Sequence, residues 1–178
     1  ALTAQEPQAI PSEDLAKATA LLMDANTRLG DPPLKLELAP DLAVGFKIEK
    51  VGAIFIPDRR LKAEKADRRG KQNKGAARPV GQLWTLKLAP LEQGAPLPND
   101  KLRLVKVGEN DKQLELVVFA LGIEKAGKKG FQLALFGKDS SPVLRVPLTA
   151  EKSKGSAAAT MVARKTSEEG GVLELSLL

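Results

Sequence analysis

Nine cations fall in the single stretch Pro57 to Pro79: Arg59, Arg60, Lys62, Lys65, Arg68, Arg69, Lys71, Lys74 and Arg78. Three anions accompany them, Asp58, Glu64 and Asp67, so the excess of six equals the formal net charge of +6 of the whole chain. The basic character therefore belongs to this one segment, and an electrostatic partner should meet the protein there. The Arg59–Arg60 and Arg68–Arg69 pairs are suited to forking onto phosphate or sulfate oxygens. Asp58–Lys62 and Glu64–Arg68 are favourable i,i+4 pairs should part of the run be helical. Its apolar content is Leu61 and a few alanines, so the segment cannot bury itself, and a solvated loop is the competing reading. All nine cations are taken as the anion-binding set. The run holds no aromatic residue, which removes the stacking platforms that single-strand binders use. The remainder of the chain is charge-balanced and offers no basic face to a duplex, which argues against sequence-specific nucleic-acid binding.

Other residues offer weaker chemistry. Gly127-Lys128-Lys129-Gly130, with Lys125 nearby, is a basic glycine turn, but it precedes a strand and lacks the spacing of a phosphate-binding loop, so it reads as a hairpin turn. Glu109 with Asp111, and Glu168-Glu169, are carboxylate pairs in expected turns; a glycosidase needs two carboxylates facing one another across a cleft, which adjacency does not supply. Glu109-Asn110-Asp111 falls short of a calcium loop. Ser140-Ser141 has only Lys138 or Asp139 near it as a base. Trp84, flanked by Leu83 and Leu86, reads as a core residue.

Absent residue types narrow the function further. The chain has no His, no Cys and no Tyr. The usual neutral-pH base, the thiol nucleophile, the disulfide, the zinc–thiolate site and the phenol acid are thereby excluded. No cofactor or metal is expected, no catalytic residue is assigned, and the chain is read as a non-enzyme; a hydrolase working through Asp/Glu or Lys is the remaining catalytic alternative. No run of 18 apolar residues exists, so no transmembrane helix is expected.

The elements that must position these groups follow from periodicity. Residues 1–11 are polar with two prolines and read as a flexible lead. A helix is expected over 12–29, with Ser12 as N-cap, Glu13 and Asp14 in its first turn, and Leu15, Ala18, Leu22, Ala25 and Leu29 on one stripe. Gly30 and Pro32-Pro33 stop it. After Pro33 the period falls to two. Leu34, Leu36 and Leu38 alternate with charge and predict a half-buried strand. Further strands are expected over 43–48, 51–56 with Gly52 at a turn or bulge, 82–88, 102–107, 114–123, 131–136, 143–148, 160–165 and 172–178. The run around Val117, Val118 and Phe119 is apolar on both faces, which predicts a central strand.

Short strands punctuated by turn residues indicate an all-β, antiparallel β-sandwich of about nine strands, with one N-terminal α-helix and a long basic loop. With 178 residues, of which 43% are hydrophobic, one domain over 12–178 is expected. The basic loop 57–79 is expected to project from one edge. Ala4 before Gln5 resembles the end of a cleaved secretory leader, so a secreted or periplasmic location is expected. The functional expectation is a non-catalytic, extracytoplasmic binding or scaffold domain. Its partner is expected to be an unknown protein or an anionic polymer; the alternative is a polyanion-binding protein acting through 57–79.

Overall fold

The helix α1 runs from Ser12 to Thr27 and buries Leu22 and Ala25 beside the half-buried Leu15 and Ala18. Glu13 and Asp14 occupy its first turn, where the helix dipole favours negative charge. The cap differs from expectation. Pro11, not Ser12, is the N-cap, and its carbonyl accepts from Leu15 N–H at 2.8 Å. Proline's ring holds φ near the −55° seen there, so the extended residue that a helix start needs is already set one position earlier. The helix also ends two residues sooner than expected, with Arg28 and Leu29 bonding back to the Ala25 and Asn26 carbonyls.

The computed structural model describes residues 6–61, 77–108, 110–128, 130–150, 157–167 and 170–177. The strands are β1 (Gln8–Ala9), β2 (Val44–Ile48), β3 (Val51–Pro57), β4 (Arg78–Leu86), β5 (Leu91–Glu92), β6 (Ala95–Pro96), β7 (Arg103–Val107), β8 (Leu114–Ala126), β9 (Gly130–Phe136), β10 (Pro142–Leu148), β11 (Ala159–Lys165) and β12 (Gly171–Leu177). The architecture is mostly β. An eight-stranded antiparallel sheet runs β1-β2-β3-β4-β8-β9-β10, with β7 also on β8. Two two-stranded hairpins, β5-β6 and β11-β12, complete the described strands.

The 13-residue β8 is the central strand, as its doubly apolar pattern predicts. Residues 117–123 pair with β4 on one side. On the other, 114–118 pair with β7 and 120–126 with β9. At the fork, Lys138 N–H donates to the Lys101 carbonyl at 3.1 Å. A Cβ on Gly137 would lie 2.2 Å from that same carbonyl oxygen, so only glycine fits.

Strand alternation divides the core across the sheet. On one face Phe55, Leu83, Phe119 and Leu121 form the larger cluster, and Met161, Leu173 and Leu175 of the β11–β12 hairpin pack on it. On the other face Ile54, Ile56, Trp84 and Val118 pack against Leu22 and Ala25 of α1. Closure into a sandwich of two comparable sheets is not shown among the described residues.

Residues 34–38 do not form the expected strand. Leu38 makes one isolated antiparallel bridge, to Asp58. Prolines at 32, 33 and 40 bracket the segment and withhold ladder donors, and Glu37 N–H is taken by a side chain. The leucines are nevertheless placed as alternation requires: Leu34 and Leu36 pack on Ala120 and Phe136, and Leu38 packs on the α1 side. Gly52 lies inside β3, opposite Lys47 and Leu86; the turn is at Glu49-Lys50, with Glu49 at φ 52°.

Candidate functional site

The basic segment starts from the end of β3 and returns into β4. These are adjacent, paired interior strands of the sheet. Its root is built on Asp58. The backbone there is fixed first: Asp58 N–H donates to the Val80 carbonyl at 2.8 Å, and Arg59 N–H to the Glu37 carbonyl at 2.6 Å. A short 3₁₀ turn, Arg59–Leu61, follows, and Leu61 is buried in the larger core cluster.

The Asp58 carboxylate lies in the crook of this turn with its side chain 0% exposed. Its Oδ2 accepts from Glu37 N–H at 2.8 Å and from Arg60 Nη2 at 3.1 Å. Its Oδ1 accepts from Arg60 N–H at 2.9 Å and Arg60 Nε at 3.0 Å. Arg60 Nη2 also donates to the Lys35 carbonyl at 3.1 Å. The result is a clamp: one carboxylate ties the stem of the basic segment to the chain leaving α1. Burial alone would raise the Asp58 pKa. The guanidinium hydrogen bonds, the Glu37 and Arg60 backbone donors and the Arg60 charge together outweigh burial and hold it below its ordinary 3.8.

Of the nine expected anion-binding residues, three are described. Arg59 is exposed, Arg60 is engaged by Asp58, and Arg78 is half-buried in β4 opposite Ile123. Of the Arg59–Arg60 pair, the second guanidinium is thus engaged by Asp58. Lys62, Lys65, Arg68, Arg69, Lys71 and Lys74 lie outside the described residues, as do Glu64 and Asp67.

The other sequence candidates do not converge among the described residues. Gly127 and Lys128 form the β8–β9 turn, with Gly127 at φ 67°; Lys129 lies outside the described residues. Asp111 is exposed in a 3₁₀ turn, while Glu109, Glu168 and Glu169 lie outside the described residues. Ser140 and Ser141 are exposed in the turn before β10. Among the described residues no three His, Cys, Asp or Glu side chains gather as a metal-binding group.

A second site escaped the sequence reading. Where α1 ends, a cleft of about 210 Å³ opens between the 29–36 segment and the sheet. Asn26, Gln82 and Arg103 are its polar side chains, and Leu29, Leu34, Leu36 and Val118 belong to its apolar wall. Trp84 Nε1 donates to Gln82 Oε1 at 2.8 Å, and Gln82 Nε2 donates to Asn26 Oδ1 at 2.9 Å. Arg103 Nη2 donates to the Gly30 carbonyl at 3.3 Å. Trp84 is core, 2% exposed, as its flanking leucines suggest. The available signal was Gln82 itself: a buried amide in an apolar strand needs a partner, and Trp84, two residues on, shares its face.

No protein-family model matches the chain, no curated protein matches it, and no solved structure matches it.

Proposed function

We propose that the chain is a non-catalytic binding domain whose β frame presents the basic segment to an anionic polymer, an acidic polysaccharide foremost. The supporting observation is the coincidence of two features in one place. The whole net charge resides in 57–79, and a buried carboxylate fixes the stem of that stretch within the sheet. Asp58 engages Arg60 at the stem, so the contact set is Arg59 with Lys62, Lys65, Arg68, Arg69, Lys71 and Lys74. The β11–β12 hairpin over one face and α1 over the other make a layered support, and we read the hairpin as the second layer of a sandwich-like domain. A rigid frame holding one variable segment is a common way to carry recognition chemistry.

The polymer is argued from what the segment lacks. Without aromatics, 57–79 has no stacking surface for bases, and the balanced remainder of the chain offers no second stripe for a duplex. Binding of this kind rests on counterion release. With about 0.7 counterions released per contact on a flexible polyanion, four to six contacts weaken binding roughly 50- to 300-fold between about 50 and 200 mM salt. Fluorescence anisotropy of a labelled heparin oligosaccharide at the two salt concentrations tests this. A fall within that range supports the proposal; absence of binding at the lower salt, or affinity insensitive to salt, refutes it.

A further inference from the structure

We infer that the cleft at the end of α1 is a binding site for a small carboxylate with a short apolar tail. The argument is independent of the basic segment and starts from hydrogen-bond direction. An indole N–H can only donate, so the atom of Gln82 that faces Trp84 at 2.8 Å must be its carbonyl oxygen. The Gln82 amide nitrogen is then the atom facing Asn26, and the Asn26 atom that meets it at 2.9 Å must be the oxygen. Both amide oxygens are thereby used internally. Asn26 Nδ2 is left as a donor with no partner among the described residues, and Gln82 Nε2 keeps a second N–H. Arg103, which also cannot accept, is held at the rim through Gly30 and retains further N–H donors. The polar side chains of this cleft therefore keep several free N–H donors, while each amide oxygen already has one of its two acceptor sites filled.

Charge points the same way. None of the residues lining the cleft is acidic, and Arg103 is its one charged side chain. A carboxylate matches a guanidinium beside an amide N–H, and it carries an apolar tail directly on its carbon. Leu29, Leu34, Leu36 and Val118 then face the rest of the ligand with apolar surface. The volume, about 210 Å³, suits a small ligand of the size of a short-chain acid.

The site has a built-in reporter. Trp84 is the sole tryptophan and lies one hydrogen bond from the cleft, so filling the cleft should alter its emission. The test uses the full chain, with hexanoate as probe and hexanol as its neutral counterpart, followed by Trp84 fluorescence and by calorimetry. Hexanoate is expected to give a saturable response, hexanol a response at least tenfold weaker, and Arg103→Gln a loss of affinity of about tenfold or more. Leu36→Phe, which keeps Arg103 and narrows the cleft, is expected to weaken hexanoate as well, and circular dichroism verifies that both variants fold. No saturable response in the unaltered protein overturns the inference. So does equal binding of hexanoate and hexanol, or hexanoate affinity unchanged in both folded variants.

Discussion

Replacing Asp58 by alanine should cost more stability than removing any exposed ion pair of the molecule. The carboxylate is fully buried and satisfies two backbone N–H groups, those of Glu37 and Arg60, besides the guanidinium. Each backbone donor left without a partner costs about 1–3 kcal/mol. The guanidinium term is smaller, because Arg60 is 41% exposed, regains water, and keeps its bond to the Lys35 carbonyl. An ion pair that open contributes about 0–1 kcal/mol. The sum for Asp58→Ala is about 2–7 kcal/mol, equivalent to a Tm lower by roughly 4–28 °C for a chain of this length. Asp58→Asn keeps one acceptor oxygen and should lose about 2–3 kcal/mol; Arg60→Ala should lose about 1–2 kcal/mol. Calorimetry of the three variants gives the order. Amide hydrogen exchange gives the location, since Glu37 N–H should lose protection in both Asp58 variants. A Tm for Asp58→Ala close to that of the unaltered protein, or a greater loss from Arg60→Ala, would refute the clamp.

Three further outcomes follow from the same geometry. Because the Asp58 carboxyl is held below its ordinary 3.8, its stabilisation is complete above that value and is lost as pH falls through the lower folded-state value. The Tm gap between unaltered protein and Asp58→Asn should therefore be constant at neutral pH and shrink below about pH 4; a gap that closes nearer neutrality contradicts this. Gln82→Leu strands the buried Trp84 N–H and should cost about 1–3 kcal/mol, with a shift in tryptophan emission; unchanged stability would show that the indole finds another acceptor. Gly137→Ala must displace the Lys101 carbonyl at the fork between β7 and β9 and should cost about 1–3 kcal/mol; unfolding curves that superimpose on those of the unaltered protein would contradict this.

Much of the fold is written in local patterns. The 3.6-residue stripe marks α1, and alternating or continuously apolar runs between turn residues mark every strand of five residues or more. The apolar run of β8 identifies the strand with neighbours on both sides because such a strand must be buried on both faces. Alternation over 34–38 fixes which side chains point inward but not what the backbone bonds to. There the partner is a carboxylate 21 residues further on. In sequence Asp58 looks like one anion among many cations, spaced to pair with Lys62 across a helical turn; in the fold it is buried and holds Arg60 and Glu37. Likewise the Asn26–Gln82 contact spans 56 residues. Periodicity shows that Gln82 is buried, but no short-range pattern can bring the end of α1 over β4, so the cleft was not legible.

The most direct test of the binding account is heparin-column retention of the intact chain against a variant in which 62–76 is replaced by a Gly/Ser linker. This exchange keeps Asp58, Arg60, Leu61 and all of β4, so the clamp stays in place, and it removes six cations and two anions. The account predicts that the intact protein elutes well into the salt gradient while the variant, folded by circular dichroism, passes through unretained. Equal retention of both proteins, or retention of neither, would contradict it.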